Sequence, residues 1–318
     1  MLFHIRHDTQ YHYHTPASDS FAELRVCPQN CPGQKILRRR LDVKPSVIIE
    51  TYTDYFGNAV EFFSIPFRHD SLSVLAFADV QTYLIPFPQE ALQHSLEQAT
   101  AVYKEKILDV FDFLQPSAHV PFSQGVKNLS LPFCPSKISL ENLLLSLNEW
   151  IFKNFSYTPG STTVSTPLEI ILKERKGVCQ DFAHLMLAIL RQHGIPARYV
   201  SGYIEAYDPT QPTSSELIGA AASHAWVEVY LPNGQWWGLD PTNNQCVGER
   251  HVRVAVGRDY RDVAPLRGTF KGAYKQDLQV IVSVERKKRA PVRKRSARKN
   301  IMDVPQISGF NLTPRPRK

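Results

Sequence analysis

The sequence predicts an α+β fold in two parts: an all-β N-terminal domain, then a core of helices packed on an antiparallel sheet. Three observations predict it. Residues 1 to about 85 show strand alternation and no helix-period segment. Residues 139–194 carry three helix patterns with start and stop signals. Three strand patterns follow between 197 and 242, the last two joined by a Pro-Asn-Gly turn.

Length and composition agree with this division. The chain has 318 residues, enough for two domains, and a hydrophobic content of 43%, ordinary for a soluble protein. No apolar run is long enough to cross a bilayer. The N-terminus "MLFHIRHDTQYHYH" lacks an apolar core followed by small residues, so no secretory signal is expected. A cytoplasmic location with reduced thiols follows as an expectation. The five cysteines, at 27, 31, 134, 179 and 246, are too few and too scattered for a disulfide framework. The net charge of +7 belongs to the C-terminal end: residues 285–318 hold 12 Lys+Arg against 2 Asp+Glu, which leaves the body at −3. The expected divisions are 1–95 for the β domain, 96–284 for the core with its connector, and 285–318 for a basic, disordered tail. Such a tail can contact polyanions non-specifically.

The elements follow in order. "SLSVLAFADVQTY" puts Leu72, Val74, Ala76, Ala78 and Val80 on one strand face. "DYFGNAVEFF" offers Gly57-Asn58 as a tight hairpin turn. Prolines from "LIPFPQEAL" onward mark a connector with short helices. "SLENLLLSLNEWIFKNF" is a helix capped by Ser139. "STPLEIILKERKG" is a second, with Thr166 as cap, Pro167 in the first turn, Glu169 completing a capping box and Gly177 as the stop. "VCQDFAHLMLAILRQHG" is a third, with Phe182, Leu185, Met186, Ile189 and Leu190 at helical spacing. The strands "ARYVSGYIEAY", "SHAWVEVYL" and "QWWGLDPT" come next, and "DLQVIVSVE" ends the ordered chain.

Cys179 opens the third helix on its apolar face. Unpaired N–H groups and the dipole at a helix start favour a thiolate there. A thiolate nucleophile needs a base that can protonate a leaving amine, and that base needs a third group to orient it. His224 begins one strand and Asp240 ends the next. Register decides whether they meet. A two-residue Asn233-Gly234 turn pairs Val227 with Asp240 and sends the two side chains to opposite faces. A three-residue Pro232-Asn233-Gly234 loop pairs Trp226 with Asp240, making Asp240 and His224 diagonal neighbours, roughly 7–8 Å apart between backbones. Pro at the first corner of a type I turn and Gly at the left-handed position favour the longer loop. The residues therefore predict a triad of Cys179, His224 and Asp240.

"GVCQDFAHLMLAILRQHGIPARYVSGY", "SHAWVEVYLPNGQWWGLDPTN" and "VGRDYRDVAPLRGTF" resemble the bacterial transglutaminase-like family of candidate cysteine proteases. "YHYHTPA" and "DYFGNAVEFFSI" resemble the N-terminal β domain found with this core. The resemblance covers the chain to about residue 285, in the family's order; the basic tail lies outside it. It implies a papain-like transglutaminase core with nucleophile, base and orienting acid on Cys179, His224 and Asp240. The implied activity is a cysteine peptidase or amidase that cleaves peptide or isopeptide amides of a peptide or protein substrate through a thioester. A protein-glutamine transamidase with the same triad, and a catalytically idle module that binds a protein partner, are the alternatives. No metal or organic cofactor is required. The Cys179 backbone N–H is one oxyanion donor; Gln180 and Trp226 are both open as the second.

Other residues carry plainer readings. His184 falls about 140° around the helix from Cys179 and packs against a neighbour. Asp181 is a first-turn dipole partner or rims the cleft. Glu228 is a surface charge or hydrogen-bond partner. Trp236 and Trp237 wall the cleft or pack in the core. Cys27, Cys31, His12 and His14 lack the paired spacing of a zinc site. Cys134 and Cys246 are structural thiols.

Overall fold

The computed structural model describes residues 1–130, 135–205, 217–218, 223–272 and 275–287. Cys134 and the chain from 288, with its expected disorder and polyanion contact, lie outside the described residues. The chain opens with five strands: β1 (Leu2–Leu24), β2 (Gln34–Lys44), β3 (Glu50–Thr53), β4 (Ala59–Ile65) and β5 (His69–Thr82). Short helices follow in the connector: α1 (Gln89–Leu92), α2 (Leu96–Glu105), α3 (Ile107–Val110) and α4 (Gln124–Ser130). The core then runs α5 (Leu140–Asn154), β6 (Ser156–Tyr157), α6 (Leu168–Glu174), β7 (Lys176–Gly177) and α7 (Cys179–Gln192). It continues with β8 (Ala197–Ile204), β9 (His224–Tyr230), β10 (Trp236–Asp240), β11 (Gln245–Cys246), β12 (His251–Gly257) and α8 (Tyr260–Val263). The last described strands are β13 (Leu266–Lys271) and β14 (Gln276–Arg286). No helix among the described residues is long and apolar enough to cross a membrane.

The first sheet is antiparallel and built around β1. Its first half lies between β5 and β14, and its second half between β4 and β13. Leu72, Val74, Ala76, Ala78 and Val80 are all buried, as alternation requires. The strand "DLQVIVSVE", grouped above with the core, is β14 and pairs with β1 through Phe3↔Arg286 to Tyr13↔Gln276. Alternation marks a strand but says nothing of its partner, so this return to the N-terminal sheet was not readable. Glu285 and Arg286, assigned above to the tail, complete that strand. The β3–β4 hairpin closes through five residues, Asp54–Asn58, rather than through Gly57-Asn58 alone. Asp54 Oδ1 accepts the backbone N–H groups of Phe56 and Asn58 and so holds the wider loop.

The second sheet has the order β11-β10-β9-β8-β12 and is antiparallel throughout. α7 packs across it with Phe182, Leu185, Met186, Ile189 and Leu190 buried against Ala225, Val227 and Val229. Each such side chain removed from water contributes about 1.5–3 kcal/mol. Ser139 caps α5 by accepting from Asn142 N–H. α6 departs from expectation at both ends. Its N-cap is Pro167, while the Thr166 hydroxyl accepts instead from Thr163 N–H. It stops at Arg175, whose φ of 54° ends the helix two residues before Gly177. Lys176 and Gly177 are thereby freed to pair in parallel with Ser156 and Tyr157.

The two sheets are joined by carboxamides. Gln34 exchanges two 2.8 Å hydrogen bonds with the backbone of Arg253. Asn58 does the same with Val256, at 2.7 and 2.8 Å. β12 is an edge of its sheet, and each carboxamide supplies the donor and acceptor that a further strand would. Tyr203 of β8 adds a third tie, with its hydroxyl donating to Val26 C=O at 2.7 Å.

The hairpin between β9 and β10 has the longer loop. Tyr230 pairs with Trp236 and Val227 with Leu239, a register that continues to Trp226 opposite Asp240. Leu231 N–H donates to Gln235 C=O and Gly234 N–H to Leu231 C=O, both at 2.8 Å. Gly234 has φ of 88°, a region costly for a residue with a Cβ. Gly234→Ala should lower unfolding stability by about 1 kcal/mol, with Gly234→Asn costing less because Asn tolerates left-handed backbone. Urea denaturation of the three proteins checks this order.

Candidate active site

Gly177 prepares the start of α7. A Cβ there would lie 2.8 Å from Asp181 Oδ2, so only glycine lets the backbone pass this close to the first turn. Asp181 Oδ2 accepts from Val178 N–H at 2.8 Å and from the Thr162 hydroxyl at 2.6 Å. The carboxylate closes the helix start and ties it to the loop after β6. Burial raises its pKa, against those two hydrogen bonds. Of its two expected roles, it has the first-turn one.

Cys179, the first residue of α7, is 7% exposed. The side chains of His224 and Asp240 are 0% exposed. His224 Nε2 lies 2.8 Å from Asp240 Oδ2. Nδ1 is the ring nitrogen that Asp240 does not engage. Burial alone would lower the His224 pKa, but Asp240 and then Cys179 raise it to about 10. Nδ1 is buried with no completed hydrogen bond among the described residues. The three side chains are thus brought together around one imidazole.

Asp240 is held by more than His224. Its Oδ1 accepts from the backbone N–H groups of Thr242 and Asn243 at 3.0 and 3.3 Å. Its Oδ2 also accepts from Asn243 Nδ2 at 2.8 Å and from His251 Nε2 at 3.3 Å. Burial opposes the carboxylate's charge, yet the two histidines hold its pKa well below the usual range. Asn243 further exchanges hydrogen bonds with the backbone of Ile218, at 2.9 and 3.2 Å. Neither Asn243 nor His251 was singled out from the sequence. "DPTN" after a strand signals a turn that an Asp side chain can cap; His251 shows only as the first residue of an alternating run. Tyr157 was missed as well. It is half-buried beside Gly177, and burial followed by the nearby Cys179 pushes its hydroxyl up to about 12.

The other candidates lie around this site as follows, and the Trp226 indole Nε1 is buried without a hydrogen-bond partner among the described residues. Trp226 is 1% exposed, and a Cβ at Gly202 would lie 2.4 Å from its ring. It stands edge-on to His251 at 5.3 Å and tilted against the His224 ring at 6.2 Å. Gln180 is half-buried in the first turn of α7. Glu228 bonds Arg198 Nε at 2.8 Å and Arg253 at 3.3 Å. Trp236 lies under the Arg198 guanidinium at 4.0 Å, and Trp237 packs edge-on against Phe87. His184 stacks on His119 at 5.3 Å, its Nε2 accepts from Tyr260 N–H, and burial holds its pKa near 3.

His224, Asp240 and His251 bring their ligand atoms within 4.8 Å of one another. Both Asp240 oxygens also accept hydrogen bonds from the turn that follows β10. His12 and His14 lie ring to ring at 5.9 Å, and His14 bonds Asp277. Cys27 is buried, and burial followed by Glu61 pushes its thiol up to about 12. Cys31 is partly buried and Cys246 exposed, both as free thiols.

Comparison with known proteins identifies the family of both regions. Residues 138–241 match the model of the transglutaminase-like superfamily, and residues 3–81 match the bacterial transglutaminase-like N-terminal region. An uncharacterised protein of Mycobacterium leprae (strain TN) is 35% identical over 292 residues, 89% of this chain and 98% of that protein. The crystal structure of a candidate cysteine protease from Cytophaga hutchinsonii superposes with a TM-score of 0.65 at 25% identity, covering 92% of this chain and 93% of the other. A protein-glutamine gamma-glutamyltransferase of Pseudomonas aeruginosa is 30% identical over 99 residues, which are 29% of this chain and 15% of that protein. With both regions present in order along more than half its length, the chain belongs to the transglutaminase-like superfamily, in the bacterial form that carries the N-terminal region.

Proposed function

We propose that the chain is a cysteine hydrolase of peptide or isopeptide amides, with Cys179 as nucleophile, His224 as acid–base and Asp240 as the orienting acid. One observation carries this reading: a single buried imidazole is bonded to Asp240 at 2.8 Å and acted on by Cys179. The imidazolium is the countercharge that a thiolate needs. The thiolate attacks the amide carbon, and the new oxyanion meets the N–H groups that a helix start leaves free. The C–N bond breaks as His224 gives its proton to the departing amine. A thioester remains on Cys179. Water then adds to it, yielding a proton to His224, and the C–S bond breaks to release the acid and restore the thiolate. Asp240 keeps the ring oriented through both transfers.

Transamidation is the second reading, favoured by the 99-residue similarity to the Pseudomonas transferase. There an amine takes the place of water at the thioester. Incubation of the full chain with a glutamine-containing protein and an isotope-labelled primary amine separates the two. Label incorporated into the glutamine protein indicates transfer. Deamidation or peptide-bond cleavage without label, seen by mass spectrometry, indicates hydrolysis. Cys179→Ser should abolish either, by on the order of 10⁴-fold or more.

Iodoacetamide alkylation tests the ion pair directly. Cys179 should be labelled rapidly at pH 6, and His224→Ala should slow that labelling by roughly 100-fold. Equal slow rates in both proteins, with the thiol titrating as a free cysteine, would leave the catalytically idle module as the correct reading. Stability follows the same histidine. Its folded pKa of about 10 lies above the ordinary histidine value of 6.5, so its contribution is complete below about pH 6.5 and lost as pH rises toward 10. Chemical denaturation across that range should show wild type losing more stability than His224→Gln.

A further inference from the structure

His251 is buried, begins β12 and reaches Asp240 from beyond the catalytic hairpin. Its two nitrogens have fixed roles. Nδ1 accepts from Gly248 N–H at 3.3 Å, so the proton of the neutral ring resides on Nε2. Nε2 lies 3.3 Å from Asp240 Oδ2, the same oxygen that His224 uses at 2.8 Å. The charged and titratable groups acting on this ring are Asp240 at the end of β10, His224 at the start of β9 and Arg250 beside it in the chain. Trp226 packs edge-on at 5.3 Å and shields the ring on the β9 side.

Resting on the triad reading above, we propose that His251 is a positioning residue: as a neutral Nε2–H donor it holds Asp240 Oδ2 in line with His224. It also takes up part of the carboxylate's charge. A carboxylate that accepts a second donor is a weaker acceptor toward the first. With His251 in place, Asp240 orients His224 while leaving its proton releasable to the departing amine. Without it, the full carboxylate charge falls on His224, which then releases its proton less readily. Burial outweighs the attraction of Asp240 and lowers the His251 pKa, which keeps the ring neutral through the neutral pH range.

The test reads His224 itself, in a protein that cannot turn over. In a Cys179→Ala background, isotope-edited histidine NMR follows the His224 titration, which there lacks the Cys179 contribution. His251→Phe should move the His224 midpoint upward, and His251→Gln, whose amide can still donate, should bring it back. In the Cys179-containing protein the same His251→Phe change should slow acylation roughly ten-fold or more at unchanged substrate KM, the scale of one lost hydrogen bond to a charged group. An unmoved midpoint in a folded His251→Phe protein, or equal midpoints for Phe and Gln, would overturn the proposal and leave His251 a packing residue. Thermal unfolding of each variant separates loss of fold from loss of the contact. Because the NMR midpoint needs no reaction, a failure of the hydrolase reading would show as absent acylation with the midpoint shift intact.

Discussion

A carboxylate removed from water is costly unless its charge is answered on both oxygens. Asp240 has no exposed side-chain surface and accepts from five donors. The geometry of the site follows from meeting that demand. Two donors are backbone groups of the turn that follows β10. One is the amide of Asn243 in the same turn, and two are histidines brought from β9 and β12. The imidazole that faces Cys179 is therefore positioned by a network spread over three strands of one sheet. The β9–β10 loop sets which face Asp240 occupies, and a slip of one residue would turn the carboxylate away from His224.

The same network explains why an N-terminal β region accompanies the core. β12 lies at the edge of the second sheet, and its first residue is His251. An unsupported edge is free to fray or to pair elsewhere. Gln34 closes the backbone groups of Arg253 and Asn58 those of Val256. Both carboxamides come from the N-terminal region, so that region fixes the strand that carries His251. Gly202 adds a close approach on the neighbouring strand, where its missing side chain makes room for Trp226 between His224 and His251. The support runs from the first sheet, through an edge strand, to the carboxylate.

Much of this was legible in the sequence, and the limits are physical. Helix α7 announces itself by spacing and by Gly194, and the β9–β10 loop by Pro232 and Gly234, because local steric rules govern both. The convergence of His224 with Asp240 follows from that loop, since register is a local property once the turn is known. What could not be read is which distant segments share a sheet. β14 alternates like any strand, yet its partner is β1, more than 260 residues away. His251 is invisible for the same reason: its bond to Asp240 depends on how residues 241–250 cross the end of the sheet. The α6 boundary failed differently. Thr166 has a cap's chemistry, but its hydroxyl accepts from Thr163 N–H three residues earlier, and Arg175 ends the helix in a conformation normally left to glycine.

The charge state of the two histidines ties these observations together. His224 and His251 are both buried and share one carboxylate oxygen, yet their pKa values move in opposite directions. For His224 the attraction of Asp240, with a further contribution from the neighbouring Cys179, exceeds the cost of burying its charge. His251 has only a share of Asp240, opposed by His224 and Arg250, and burial prevails. Were both rings charged, Asp240 would be overcompensated and its hold on His224 weakened. Were both neutral, the buried carboxylate would lack a countercharge. One charged and one neutral histidine around a single carboxylate answers its buried charge once, and in the mechanism proposed above it leaves a proton available to transfer.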